Sequence, residues 1–169
     1  MCAQVSQEAK SVVEAVNFNA PGQVVIAGSS AAVDQAVDAA KQAGARRALV
    51  LPVSVPSHSS LMRGAAQKLA VHIEAADIQC GRVPVVQNTQ ATAYSEAGDI
   101  RRALTEQLYR PVQWVASVEA LKADTVVEMG PGKVLSGLVK RICKKQPLGY
   151  VDSPKSLAAA QALWAEKGE

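Results

Sequence analysis

The spacing of apolar residues changes repeatedly along the chain, and each change marks an expected element. Residues 2–15 carry a short helical pattern that runs into VVEAVNFN, whose β-branched enrichment reads as a strand. Asn19, Pro21 and Gly22 then form a turn, and QVVIAGS is a second strand ending at Gly28. AAVDQAVDAAKQAG reads as a helix that Ser29 or Ser30 can cap and Gly44 can close. RRALVLPVSV reads as a third strand. The order helix–strand–strand–helix–strand is a ferredoxin-like split βαβ unit without its first strand. That strand lies inside the sheet of the motif, and its loss leaves neighbouring strands with unpaired backbone groups. The pattern therefore predicts a chain truncated at its N-terminus, with Met1 a late start or a fragment boundary.

The second half changes rhythm. A helix is expected over residues 61–76, then a buried-type strand, VPVVQNT, over 83–89, and a polar loop over 90–98. DIRRALTEQLY is a helix with Asp99 as its N-cap, and Pro111 begins another, PVQWVASVEALKA. TVVEMG is a short strand, PGKVLSGLVKRICKK a turn and a helix, and SPKSLAAAQALWAEKGE a last amphipathic helix. Strands alternating with helices predict an α/β fold with a mostly parallel sheet between helical faces.

Composition narrows the picture. With 169 residues, 49% hydrophobic and 20% charged, the chain suits one domain with a real core, with or without a small subdomain. Aromatics make up only 4%, so Ala and Val must fill that core between closely packed helices. The net charge of +3 is too mild to point to nucleic acid. Cys2, Cys80 and Cys143 are widely spaced and odd in number, which implies neither a disulfide framework nor a metal-ligand set and suits the cytoplasm. No apolar run is long enough to span a membrane and no signal-peptide pattern is present.

His58 is the first candidate for chemistry, because it follows an apolar run at a strand end, where functional groups of α/β folds gather. It reads either as a general base working near neutrality or as a loop histidine making a structural hydrogen bond. His72 lies within a helical pattern and reads as a surface residue. Ser54, Ser57, Ser59 and Ser60 are too close in sequence to His58 to be obvious nucleophiles, and G-x-S-x-G, which exposes a serine on a strained turn, occurs nowhere. GPGKVL, residues 130–135, opens a helix and reads either as an anion cradle or as a tight strand-to-helix turn. Lys140, Arg141, Lys144 and Lys145 make a basic helix end, either a solvated face or a surface for an acidic partner.

Four blocks, NFNAPGQVVIAG, LPVSVPSHSSLM, QLYRPVQW and EMGPGKVLSGL, together resemble the malonyl-CoA:acyl carrier protein transacylases, a family that includes the acyltransferase domains of fatty acid and polyketide synthases. The resemblance implies an α/β-hydrolase-like domain with an inserted ferredoxin-like subdomain: residues 1–53 match the subdomain without its first strand, and residues 54–169 the C-terminal part of the large domain. It also implies ping-pong acyl transfer for fatty acid biosynthesis. A serine in a G-H-S-x-G elbow takes malonyl from coenzyme A and passes it to the phosphopantetheine thiol of acyl carrier protein. His58 matches the base of the P-S-H motif. Gln107 matches the position whose backbone carbonyl, in place of an aspartate, holds the imidazole. Asn19 matches a position lining the acyl and pantetheine groove. The coenzyme A thioester is a substrate, with no permanently bound cofactor and no metal.

The elbow serine, the arginine that pairs with the malonyl carboxylate and the oxyanion-hole residues all precede the matching region in the family, and Arg46, Arg47 and Arg63 stand in the wrong blocks to replace that arginine. The expectation is a malonyl transacylase when intact and an inactive chain alone, with exposed apolar sheet edges that favour pairing with another chain. A non-catalytic module that binds carrier protein, and a trans-acting acyltransferase of a polyketide pathway, are the alternatives.

Overall fold

A computed structural model describes residues 1–123, 125–144 and 149–165. The amino-terminal part follows the apolar periodicity. Helix α1 (Cys2–Glu8) ends earlier than its pattern, because Lys10 turns to φ 49° and redirects the chain into strand β1 (Val13–Ala20). Ser6 fixes that corner, its hydroxyl bonding both the amide and the carbonyl of Val13 at 2.9 Å. Gly22, at φ 74°, makes the turn into β2 (Gln23–Gly28), which runs antiparallel to β1.

Helix α2 (Ser30–Gln42) lays Ala32 and Ala36 onto Val5 and Val13, all four buried, with Ile26 and Val33 packed around them. Small residues on α2 let it sit close to the hairpin, where each methylene excluded from water stabilises by about 0.8 kcal/mol. Ser29 occupies the N-cap, but its hydroxyl bonds Ser11 at 2.7 Å rather than a helix amide. Gly44 ends the helix at φ 86°: its amide bonds the Lys41 carbonyl at 3.0 Å and the Ala45 amide bonds the Ala40 carbonyl at 2.9 Å, a Schellman closure.

The third strand predicted over RRALVLPVSV does not form. Leu49, Val50, Leu51, Val53 and Val55 are all exposed, and the Val53 and Ser57 amides turn back on carbonyls two residues earlier. A strand needs a neighbour, and no described residue offers this run a ladder. The split βαβ unit is therefore a two-stranded hairpin with helices α1 and α2 against it.

A 3₁₀ turn (Ser60–Met62) leads into α3 (Arg63–Ala75), which packs Ala66 and Ile73 towards Ala103 of α4 (Ala97–Glu106). Glu96, not Asp99, is the N-cap residue of α4; Asp99 sits inside the first turn and pairs with Arg102 at 2.7 Å. The buried strand expected over 83–89 shortens to β3 (Val86–Gln87), while Val83 and Val85 are exposed. Its partner β4 (Thr92–Ala93) lies in the stretch predicted as a polar loop.

Pro111 does not begin a helix. The next residue, Val112, pairs with β1, giving its amide to Val16 at 2.8 Å and accepting from Phe18 at 2.9 Å, so α5 (Trp114–Ala120) starts three residues later than predicted. Strand β5 (Val127–Met129) and helix α6 (Val134–Cys143) follow, and the parallel partner of β5 is β6 (Gly149–Val151), which the sequence pattern does not reveal. Helix α7 (Pro154–Ala165) covers most of the last predicted helix, whose residues 166–169 lie outside the described residues, as does Lys145. The described chain is α/β in content, but its strands form three two-stranded sheets rather than one mostly parallel sheet.

Candidate active site

His58 sits at a backbone position that few side chains adopt. Its φ of 65° lies in the left-handed region, a conformation that costs of order 1–3 kcal/mol and persists only where neighbours over-determine it. The neighbours are carbonyls at the end of α4. A helix leaves its last carbonyls without internal partners, and here His58 uses that of the C-cap, Gln107, and that of the next residue, Leu108. Its amide donates to the Leu108 carbonyl at 2.9 Å, and its ring Nδ1 lies 2.6 Å from the Gln107 carbonyl oxygen.

A carbonyl oxygen can only accept, so Nδ1 carries the hydrogen. The neutral imidazole then presents an unprotonated Nε2, the arrangement a general base requires. The ring is half-buried.

Both sides of the loop are pinned. Ser59 is fully buried and donates its hydroxyl to the Pro56 carbonyl at 2.6 Å. The Ser60 amide donates to Glu14 Oε2 of β1 at 2.6 Å. The chain beyond α4 turns tightly, with the Tyr109 and Arg110 amides on the Glu106 carbonyl at 3.0 and 2.9 Å and an Arg110–Glu106 ion pair at 3.0 Å. The Arg63 guanidinium lies 4.4 Å from the centre of the Tyr109 ring, a cation–π contact that joins α3 to the same turn.

His58 and Gln107 thus meet directly. Asn19 does not join them: it is half-buried at the irregular end of β1, with no hydrogen bond to either among the described residues. The link is through its strand, since Phe18 and Val16 pair with Val112 just beyond the Gln107 carbonyl. His72 is exposed on α3. The three cysteines are free, and no cluster of three metal-ligating side chains occurs among the described residues. No helix among them is long and apolar enough to cross a membrane.

The turn before α6 answers the other motif. Gly130 and Gly132, at φ 132° and 93°, let the chain double back so that the first amides of α6 face inward. An anion does occupy that helix start, and it is the protein's own Glu128, which accepts from Leu135 at 3.0 Å and Ser136 at 2.8 Å. The Ser136 side chain beside the carboxyl, with the Ser136, Leu135 and Val134 amides, holds Glu128 below its ordinary range against the opposing effect of burial, although the Ser136 hydroxyl itself makes no hydrogen bond.

Glu14 and Glu128 were not among the residues that sequence reasoning singled out. A signal existed. Each follows two valines at the start of a strand-like run, VVEA and VVEM, and a carboxylate placed in an apolar run must find donors or incur a desolvation cost. Each finds them at the start of a following helix or turn.

The blocks NFNAPGQ, PSHSS and QLYRPVQW therefore converge, through Phe18–Val112 and His58–Leu108, while EMGPGKVLSGL closes on itself. A malonyl CoA-acyl carrier protein transacylase from Salmonella typhimurium is 52% identical over 152 residues, 88% of this chain and 49% of the relative. The chain is homologous to the C-terminal half of the malonyl-CoA:acyl carrier protein transacylases. It spans about half the length of the curated transacylases it matches.

The solved transacylases carry the same fold over that half. The acyl carrier protein S-malonyltransferase of Vibrio cholerae superimposes with a TM-score of 0.89 and 46% identity, covering 94% of this chain and 52% of that one. A malonyl-transacylase solved in complex with a type II polyketide synthase acyl-carrier protein matches with a TM-score of 0.89 and 45% identity, covering 95% of this chain and 53% of that one. No family model matches the chain.

Proposed function

We propose that this chain supplies the general base and part of the substrate groove of a malonyl-CoA:acyl carrier protein transacylase working in cytoplasmic fatty acid biosynthesis. The single observation that carries the reading is the His58 Nδ1–Gln107 carbonyl hydrogen bond of 2.6 Å, which leaves Nε2 free to take a proton. The relatives named above support the substrate pair, coenzyme A thioester and carrier protein.

In this scheme the elbow serine loses its proton to Nε2 as its oxygen attacks the malonyl thioester carbonyl. The C–S bond breaks and the proton leaves with the coenzyme A thiol. The phosphopantetheine thiol of the carrier protein then gives its proton to Nε2 and attacks the malonyl ester. The serine oxygen departs and recovers that proton. The Gln107 carbonyl acts as the orienting group, keeping the imidazole in the Nδ1–H form and facing its positive form with a helix-end dipole. Asn19 lines the groove for the acyl and pantetheine chain. The reaction uses no metal and no resident cofactor, and the acyl group rides on its substrates.

The sequence has no G-x-S-x-G, so the chain alone is expected to hold no acyl group. Intact mass spectrometry after mixing with malonyl-CoA, with and without acyl carrier protein, reads this directly. No malonyl adduct and no malonyl carrier protein are expected. An adduct or turnover would mean that a different nucleophile operates and would overturn these roles. Supplying the elbow-bearing half of the Salmonella relative as a separate polypeptide should restore transfer, and His58→Ala in that mixture should lower it by a factor of about 10³ or more.

A further inference from the structure

We infer that Glu14 is a positioning residue for His58, acting through the Ser60 amide; the inference rests on the reading of His58 as the base. His58 lies between two clamps. On one side, the Gln107 and Leu108 carbonyls just after α4 hold its ring and amide, as described. On the other, the chain leaves the strained φ of 65°, passes through the buried Ser59 and enters the 3₁₀ turn at Ser60, whose amide has no partner within that turn.

The Glu14 carboxylate of β1 takes that amide at 2.6 Å, across 46 residues of sequence. Glu14 is itself fixed, because β1 is paired on one edge with β2, opposite Ala27, and on the other with Val112 at Asn17. A charge-assisted bond from a residue held on both edges is a stiff anchor. It sets where the turn begins, and so how far the residue two positions earlier can relax out of its left-handed conformation. A relaxation of that backbone would swing the imidazole off the Gln107 carbonyl. Both clamps therefore use β1, directly through Glu14 and indirectly through the Val112 pairing just beyond Gln107.

The test is the tautomer of His58, read by two-dimensional NMR of its imidazole nitrogens at about pH 8, where an ordinary histidine is neutral. The wild-type chain and Glu14→Gln, which keeps an acceptor oxygen, should both show the Nδ1–H form. In Glu14→Ala the share of that form relative to the other tautomer should fall about fivefold, the weight of one hydrogen bond. Ser60→Pro removes the same bond from the donor side, and Ser59 is already extended at φ −102°, ψ 163°, as a residue before proline should be. It should give the same fall, and it carries the test if Glu14→Ala does not fold. A folded variant of either kind with the wild-type tautomer overturns the positioning role alone. A wild-type spectrum without the Nδ1–H form overturns the reading of His58 as the base, and this role with it.

Discussion

The β1–β2 hairpin and the run over residues 46–55 have much the same chemistry. Both are rich in Val, both have a polar break, and both read as strand. In the hairpin, Val13 and Val16 are 1% and 2% exposed and the backbone is paired from Val13 to Gly28. In the run, Val50 and Val53 are 60% and 68% exposed and no ladder forms. The difference lies in what stands beside each segment. The hairpin folds back on itself through Gly22 and is covered by α2, so its partner and its lid are both local. The run has neither. Strand propensity is thus a conditional statement, realised where a neighbour and a covering face are supplied.

The largest effect should come from breaking the closed side of this comparison. Gly28 pairs with Val13 at the end of the hairpin, where an added Cβ would overlap the Val12 carbonyl oxygen and approach Val13 Cα to 2.7 Å. Both are backbone atoms and cannot step aside like a flexible side chain. Gly28→Ala is therefore expected to cost about 3 kcal/mol, at the high end for overpacking. Chemical unfolding of the variant beside the wild type measures this. An unchanged midpoint would show that the hairpin and the residues before it are not closely joined in solution.

The same contrast explains what could be read from the sequence. The helices α2, α3 and α6 were legible because their periodicity and closing residues are local; Gly44, for one, sits where a left-handed residue is needed. β6 was not, since the three residues of GYV carry no period and gain their meaning only beside β5. Pro111 suggested a helix start, yet Val112 spends its amide and carbonyl on β1, a demand made by residues nearly 100 positions away. Of the candidate site, His58 was visible from its place after a strand-like run. The Gln107 carbonyl was not visible from spacing, because any residue type can offer a backbone oxygen, and it entered through the resemblance alone. Glu14 is a long-range partner that only the folded chain brings to Ser60.

Strand β5 stands between the two extremes and sharpens the comparison. It is three residues long, with Met129 67% exposed, and a carboxylate ties it to α6. Folding lowers the Glu128 pKa below the ordinary 4.5, so its stabilisation is complete above that value and disappears as the pH falls through the lower folded-state value. Glu128→Gln should therefore melt below the wild type near neutrality, with the gap closing as the pH is taken below 4.5. Melting curves at a series of pH values check this. A gap that stays constant with pH would mean the carboxylate charge contributes nothing there.

The smallest effect on stability should come from the open side. Replacing Val50 and Val53 together by Lys puts two charges on a run that is already in water, so neither desolvation nor lost packing opposes the change. Stability should move by no more than about 0.5 kcal/mol, the usual bound for surface substitutions. Self-association should change more. Exposed apolar residues in a segment without a ladder offer both a sticky face and unpaired backbone, and lysines are a common guard against that pairing. Light scattering across a concentration series should show a smaller mass at high concentration for the double variant than for the wild type. A loss of 2 kcal/mol or more would break the comparison, because it would require the two valines to be buried in solution. Whether that loss grows with protein concentration would then say what buries them: a concentration-dependent loss points to a second copy, and a concentration-independent one to the chain itself.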